Sequence, residues 1–125
     1  MPAERIKTPK WRPDAEKGNY PAAQSYLSLV YPSAQAAKLV TRLRAAKLVR
    51  FKAKDIFRAS QLSLLGVSNS HVKQDQAKIQ AGTRLSPVLL VRDKQQGKVI
   101  VADGYHRLCA VYSYDEDASI PCKIV

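Results

Sequence analysis

The sequence predicts a single α+β domain: a small mixed sheet flanked by helices, with a basic helical extension at its N-terminus. Two observations lead there. Apolar runs of strand length, Leu85–Val91, Lys98–Ala102 and Ile120–Val125, alternate with segments of helical period. The length of 125 residues suits one compact domain, and an apolar content of 46% lies in the globular range.

Taken in order, residues 1–32 read as an arm. Pro2, Pro9, Pro13, Pro21 and Pro32 interrupt any long helix, and Trp11, Tyr20, Tyr26 and Tyr31 are spaced as lone anchors. The expectation is irregular chain with at most a short helix near Ala22–Val30. Residues 33–50 form the basic amphipathic helix. Ser33 offers an N-cap, Ala36, Leu39, Val40, Leu43 and Ala46 make one apolar stripe, and Lys38, Arg42, Arg44, Lys47 and Arg50 take much of the remaining circumference.

The main domain is expected over residues 51–125. Lys54–Leu65 starts strand-like and turns irregular. Ser68-Asn69-Ser70 is a capping cluster, after which His71–Ala81 reads as a polar helix stopped by Gly82. Leu85–Val91 is a buried strand with Pro87 at its edge or beginning, Lys94–Gly97 a hairpin turn, and Lys98–Ala102 the returning strand. Asp103-Gly104 breaks that strand. Tyr105–Tyr114 is then a helix with Leu108, Val111 and Tyr112 inward, and Ile120–Val125 closes the sheet.

Composition narrows the function. Only Cys109 and Cys122 occur, without CxxC or Cys/His spacing, so no structural zinc site and no bound metal is expected. No run approaches the roughly 18 apolar residues of a membrane span, and the charged start MPAERIKTPKWRP lacks the apolar stretch of a secretory signal. A cytoplasmic, reduced protein with no membrane partner is the expectation. Twenty-one Lys and Arg against ten Asp and Glu give a net charge of +11, most of it in residues 1–50. Such an excess attracts polyanions, and the basic helix makes nucleic acid a candidate partner through Lys38, Arg42, Arg44, Lys47 and Arg50. The competing reading is a solvated face that binds nothing specific.

One junction carries the pattern of a chemical site: Val99-Ile100-Val101-Ala102-Asp103-Gly104-Tyr105-His106-Arg107-Leu108. An apolar strand ends in Asp-Gly and a helix opens with Tyr, His and Arg in its first turn. The first N–H groups of a helix lack intrahelical partners and the dipole there favours an anion. Gly104 permits close approach of the backbone, Arg107 offers a guanidinium fork to phosphate, and His106 adds a titratable donor. Against this stand plainer roles: Asp103 as an N-cap, and His106 with Arg107 as surface or ion-paired side chains.

The stretch LSPVLLVRDKQQGKVIV followed by ADGYHRLCAVYSYDEDASIPCKIV resembles the ParB/sulfiredoxin-like domain superfamily over about residues 54–125. In that superfamily a strand–[D/G]-G-x-[H/E]-R–helix element binds nucleotide phosphates. The resemblance implies a nucleotide ligand with Mg²⁺, phosphates held by Gly104, Tyr105, His106 and Arg107, and a catalytic carboxylate at Asp103. It implies phosphotransferase or nucleotide hydrolase activity if the site is catalytic. Departures matter. Tyr105 stands where sulfiredoxins carry their reactive cysteine. The 18 residues after Arg107 leave no room for the helix-turn-helix region of partition proteins. No Glu occurs between Glu16 and Glu116 to act as the upstream base of the related free-amino-acid kinases, for which only Asp75 or His71 could substitute. Two readings therefore stay open, a nucleotide-binding domain with or without catalysis and a non-catalytic module for nucleic acid or another partner.

Overall fold

The computed structural model describes residues 8–64 and 69–125. Its elements are β1 (Lys10–Trp11), α1 (Asn19–Val30), α2 (Ser33–Ala45), β2 (Val49–Lys52), α3 (Ala53–Ser60), α4 (Ser70–Ala81), β3 (Arg84–Leu85), β4 (Val88–Asp93), β5 (Lys98–Asp103), α5 (Tyr105–Tyr114) and β6 (Ser119–Ile124). The main sheet has the order β2-β6-β4-β5; β6 runs parallel to β4, and the other pairs are antiparallel. The mixed α+β class is as the sequence predicts. Pro121 is tolerated inside β6 because β4 pairs only from Cys122 onward, leaving one ladder, with β2, at that position.

Period-2 alternation divides the core into two halves. Val88 and Leu90 of β4, Val101 of β5 and Ile120 and Cys122 of β6 face α3, α4 and α5. Leu89 and Val91, with Ile100 and Ala102, face α1 and α2 and meet Ala23, Leu27, Leu39 and Leu43. β4 is buried on both sides, which is why its sequence reads as an unbroken apolar run.

Several boundaries differ from the sequence expectation. The arm contributes a full helix, α1, starting at Asn19; Pro21 sits in the first turn, where its missing N–H has no intrahelical acceptor to lose. That helix buries Tyr20, Ala23 and Leu27 as part of the second core half, so the arm is a layer of the domain. The arm's first seven residues lie outside the described residues, as do Leu65 and Ser68. The basic helix stops at Ala45, because Ala46 turns extended and Val49–Lys52 pair with β6. Ser33 is its first helical residue; Pro32 occupies the cap position without a side-chain bond. Lys54–Leu65 is not strand-like at its start. Ala53, Ile56 and Ser60 recur at helical spacing on the buried side of α3, and Asp55 suits its first turn. Tyr112 is half-buried, while Leu108 and Val111 are fully inward.

Lys123 has no precedent in the pattern. Alternation along β6 turns it toward α1 and α2, where its side chain is 5% exposed. Its ammonium donates to the Tyr20 hydroxyl at 2.8 Å and the Arg44 carbonyl at 2.9 Å, and lies 2.9 Å from Asp14 Oδ1. The Arg44 guanidinium covers the Tyr20 ring at 4.5 Å. Burial works against the charged lysine, yet the Tyr20 and Asp14 contacts outweigh it and hold the Lys123 pKa above the ordinary value. Burial likewise works to raise the Asp14 carboxyl, but the Lys123, Tyr20 and Ala15 contacts hold it lower. The Lys123 contribution is therefore complete below 10.5 and lost as pH rises through its raised native value. The Asp14 contribution is complete above 3.8 and lost as pH falls through its depressed one. Asp14→Ala, which strips one of three partners from a buried cation, is expected to cost about 1–3 kcal/mol in urea unfolding. Lys123→Met, which removes the charge together with its demand for partners, is expected to cost less. Equal stability of Asp14→Ala and the wild type would show that the arm is held without this contact.

Candidate functional site

The Asp103-Gly104 junction forms as the sequence requires. β5 ends at Asp103, Gly104 has φ +106°, and α5 begins at Tyr105. Only glycine fits. A Cβ there would lie 2.9 Å from Arg107 Nη2 and 3.1 Å from Val88 Cγ2, on a left-handed backbone that L side chains avoid.

The side chains around this turn settle which of the plainer roles holds. Asp103 does not cap α5. Gly104 is the N-cap and receives no side-chain bond, while Asp103 Oδ2 pairs with Arg107 Nη2 at 3.0 Å, one helical turn away. Arg107 Nη2 also lies 3.4 Å from the Pro87 carbonyl, and its Nε is buried without a partner. With its side chain 16% exposed, Arg107 is an anchored cation whose fork is already partly engaged. Tyr105 donates its hydroxyl to the Ser63 carbonyl, leaving its position in the first turn of α5 as what it brings to the site. Burial, followed by the neighbouring Cys109, raises the Tyr105 pKa.

A second helix completes the cleft. His71, Gln74, Asp75 and Lys78 follow one another at i, i+3, i+4 and i+7 along α4 and face the α5 turn across a space of about 230 Å³. That spacing was the available signal for Gln74 and Lys78, which sequence reasoning passed over. Asn69 sets the start of α4 by accepting the His71 and Val72 N–H groups, and Gly82, at φ +73°, ends it. The His71 and His106 rings approach to 4.8 Å between centroids, tilted by 42°. Neither imidazole has a hydrogen-bonding or ion-pair partner among the described residues. Asp75 pairs with Lys78 at 3.8 Å with its own side chain 13% exposed. Burial raises its pKa, against the pull of Lys78, Arg107, His106 and His71.

The structure thus brings Asp103, Gly104, Tyr105, His106 and Arg107 to one cleft. It does not bring the five basic positions of the N-terminal region together. Lys38 and Arg42 share a face of α2, Arg44 lies on Tyr20, Lys47 follows the helix, and Arg50 belongs to β2. Cys109 and Cys122 are buried thiols not joined in a disulfide, and burial pushes Cys122 up to about 12. Among the described residues no three His, Cys, Asp or Glu side chains gather as a metal-ligand set. No helix among them is long and apolar enough to cross a membrane. No family model, curated protein or solved structure matches the chain.

Gly104→Ala tests the geometry of the junction. The left-handed backbone alone is expected to cost about 1–2 kcal/mol, with a further loss from displacing Arg107. Chemical unfolding measures it, and a neutral substitution would mean that Gly104 is replaceable at this turn.

Proposed function

We propose that this cleft binds phosphate, presented by a nucleotide, in a domain of the ParB/sulfiredoxin-like kind. The carrying observation is the pair of unpartnered imidazoles, His71 and His106, beside the first turn of α5. Size and charge sharpen the reading. A space of about 230 Å³ falls below the ~300–1,000 Å³ usual for whole small-molecule ligands, so it suits phosphate groups with the nucleoside outside. Lys78 and Arg107 each face a carboxylate, Asp75 and Asp103. An entering anion therefore draws hydrogen bonds from the two imidazoles, in addition to the helix N–H groups.

The engagement of Asp103 with Arg107 supports binding over catalysis, because the carboxylate already has a structural partner. Mg²⁺ would arrive on the nucleotide's own phosphates, the usual manner for this ion, with Asp103 and Asp75 as the carboxylates at hand.

Thermal shift with ATP, ADP, CTP, GTP and inorganic phosphate, each with and without Mg²⁺, is the test. A ligand at one hundred times its dissociation constant adds about 2.7 kcal/mol of stability. The expected shift is lost in His106→Ala and Lys78→Ala. No shift with any of the five overturns the reading. Absence of nucleotide turnover is expected. Turnover that disappears in Asp103→Asn at an unchanged thermal midpoint would instead make Asp103 catalytic.

A further inference from the structure

A second recess, of about 700 Å³, lies on the other half of the molecule, where the turn between α1 and α2 meets the β4–β5 hairpin. Leu39 and Val91 give it an apolar floor, the Tyr31 ring lines it, and Arg42 and Lys94 stand on it from the helix and the hairpin turn. Lys38 lies one turn before Arg42 on the same face of α2. These three cations are exposed and, among the described residues, have no ion-pair or hydrogen-bonding partner. Lys54, Arg58, Lys78, Arg107 and Lys123, by contrast, are all paired.

Asp93 gives the recess a second chemistry. The residue is 9% exposed, and its Oδ1 accepts the Gln96 N–H at 3.2 Å, leaving Oδ2 without a donor among the described residues. Burial, and next the Asp93 charge, raise the Tyr31 hydroxyl pKa, which places the ring and the carboxylate in one recess. A phosphate on Asp93 would be repelled, whereas an exocyclic base amine is the kind of donor a carboxylate accepts. Phosphates therefore belong on the Arg42 and Lys94 side, and a base belongs between Tyr31 and Asp93.

We propose that this recess binds single-stranded nucleic acid, one base against Tyr31 and the flanking phosphates on Lys38, Arg42 and Lys94. A duplex keeps its bases stacked away from a recessed ring, while a single strand can lay an unstacked base on it. The volume lies within the ~300–1,000 Å³ range of ligand pockets, room for a base and its sugar. This site is separate from the α5 cleft, and neither proposal depends on the other.

Fluorescence anisotropy with a labelled mixed-sequence 12-mer, single-stranded or as a duplex, reads the outcome. The single strand is expected to bind at least tenfold more tightly. Arg42→Ala and Lys94→Ala should each flatten the log affinity–log salt slope by about 0.7, the value for one single-strand phosphate contact. Lys73→Ala, which removes an α4 cation outside the recess, should leave the slope unchanged. Tyr31→Ala should weaken binding roughly 5- to 150-fold, the worth of one base–aromatic stack, and Tyr31→Phe should restore it. Lys94 sits on an exposed turn, so its variant remains informative even if Tyr31→Ala does not fold. Equal affinity for single strand and duplex, a slope unmoved by Lys94→Ala, or no binding at 50 mM salt would each overturn the proposal.

Discussion

A single buried ammonium ties the arm, α1 and α2 to the sheet. Lys123 projects from β6, an inner strand of the sheet, into a layer otherwise made of Ala, Leu, Ile, Val and the Tyr20 ring, where an unpaired charge would be prohibitive. Its partners come from the arm (Asp14), α1 (Tyr20) and the end of α2 (the Arg44 carbonyl). Three separate segments must therefore arrive together for the lysine to be satisfied. The arm is fixed further by β1 alongside β3, and by Ser86 Oγ, which donates to the Glu16 carboxylate at 3.2 Å. The proline-rich arm is a structural layer because it buries Tyr20, Ala23 and Leu27 and supplies partners to one buried cation.

With that layer in place, β4 is covered on both faces and becomes a rigid base for everything beyond it. Its neighbour β5 delivers Asp103 and Gly104 to the α5 turn, and the hairpin joining the two strands presents Lys94. Both recesses thus hang from one pair of strands, and they differ in how their charges are used. Around α5 each cation is matched by a carboxylate, and the imidazoles of His71 and His106 stand beside them. Beside α2 the cations are unmatched and the one carboxylate lies at 9% exposure among them. An uncompensated site of exposed cations is the one that answers to ionic strength.

Local signals were legible and distant ones were not. The α5 boundaries, the KQQG hairpin turn and the Gly82 stop follow from glycines and apolar runs acting within a few residues, and these appear where the sequence puts them. The motif residues also meet in one cleft, as their closeness in sequence ensures. Sequence position alone does not separate capping by Asp103 from pairing with a residue four positions on. The Gly104 backbone and the placement of Arg107 decide between them. α3 was obscured by its length of eight residues, too short for period to stand out. The importance of Lys123 was invisible: in IPCKIV it resembles any solvent-facing lysine, and its partner Tyr20 lies 103 residues earlier.

The position of β6 within the sheet also sets an order of events. It is the last of these strands to be synthesised, yet it lies between β2 and β4, which have no ladder with each other. Until residues 119–124 arrive, β2 has no partner, Cys122 and Ile120 are missing from one core half, and Asp14 and Tyr20 lack their lysine. The layer of α1 and α2 on the β4–β5 hairpin needs no apolar β6 side chain, whereas the core half under α3, α4 and α5 stays incomplete. Closure of the fold then depends on contacts of long sequence separation, the kind that slows folding. Insertion of this late strand joins β2 to the sheet and completes the core half under α3, α4 and α5.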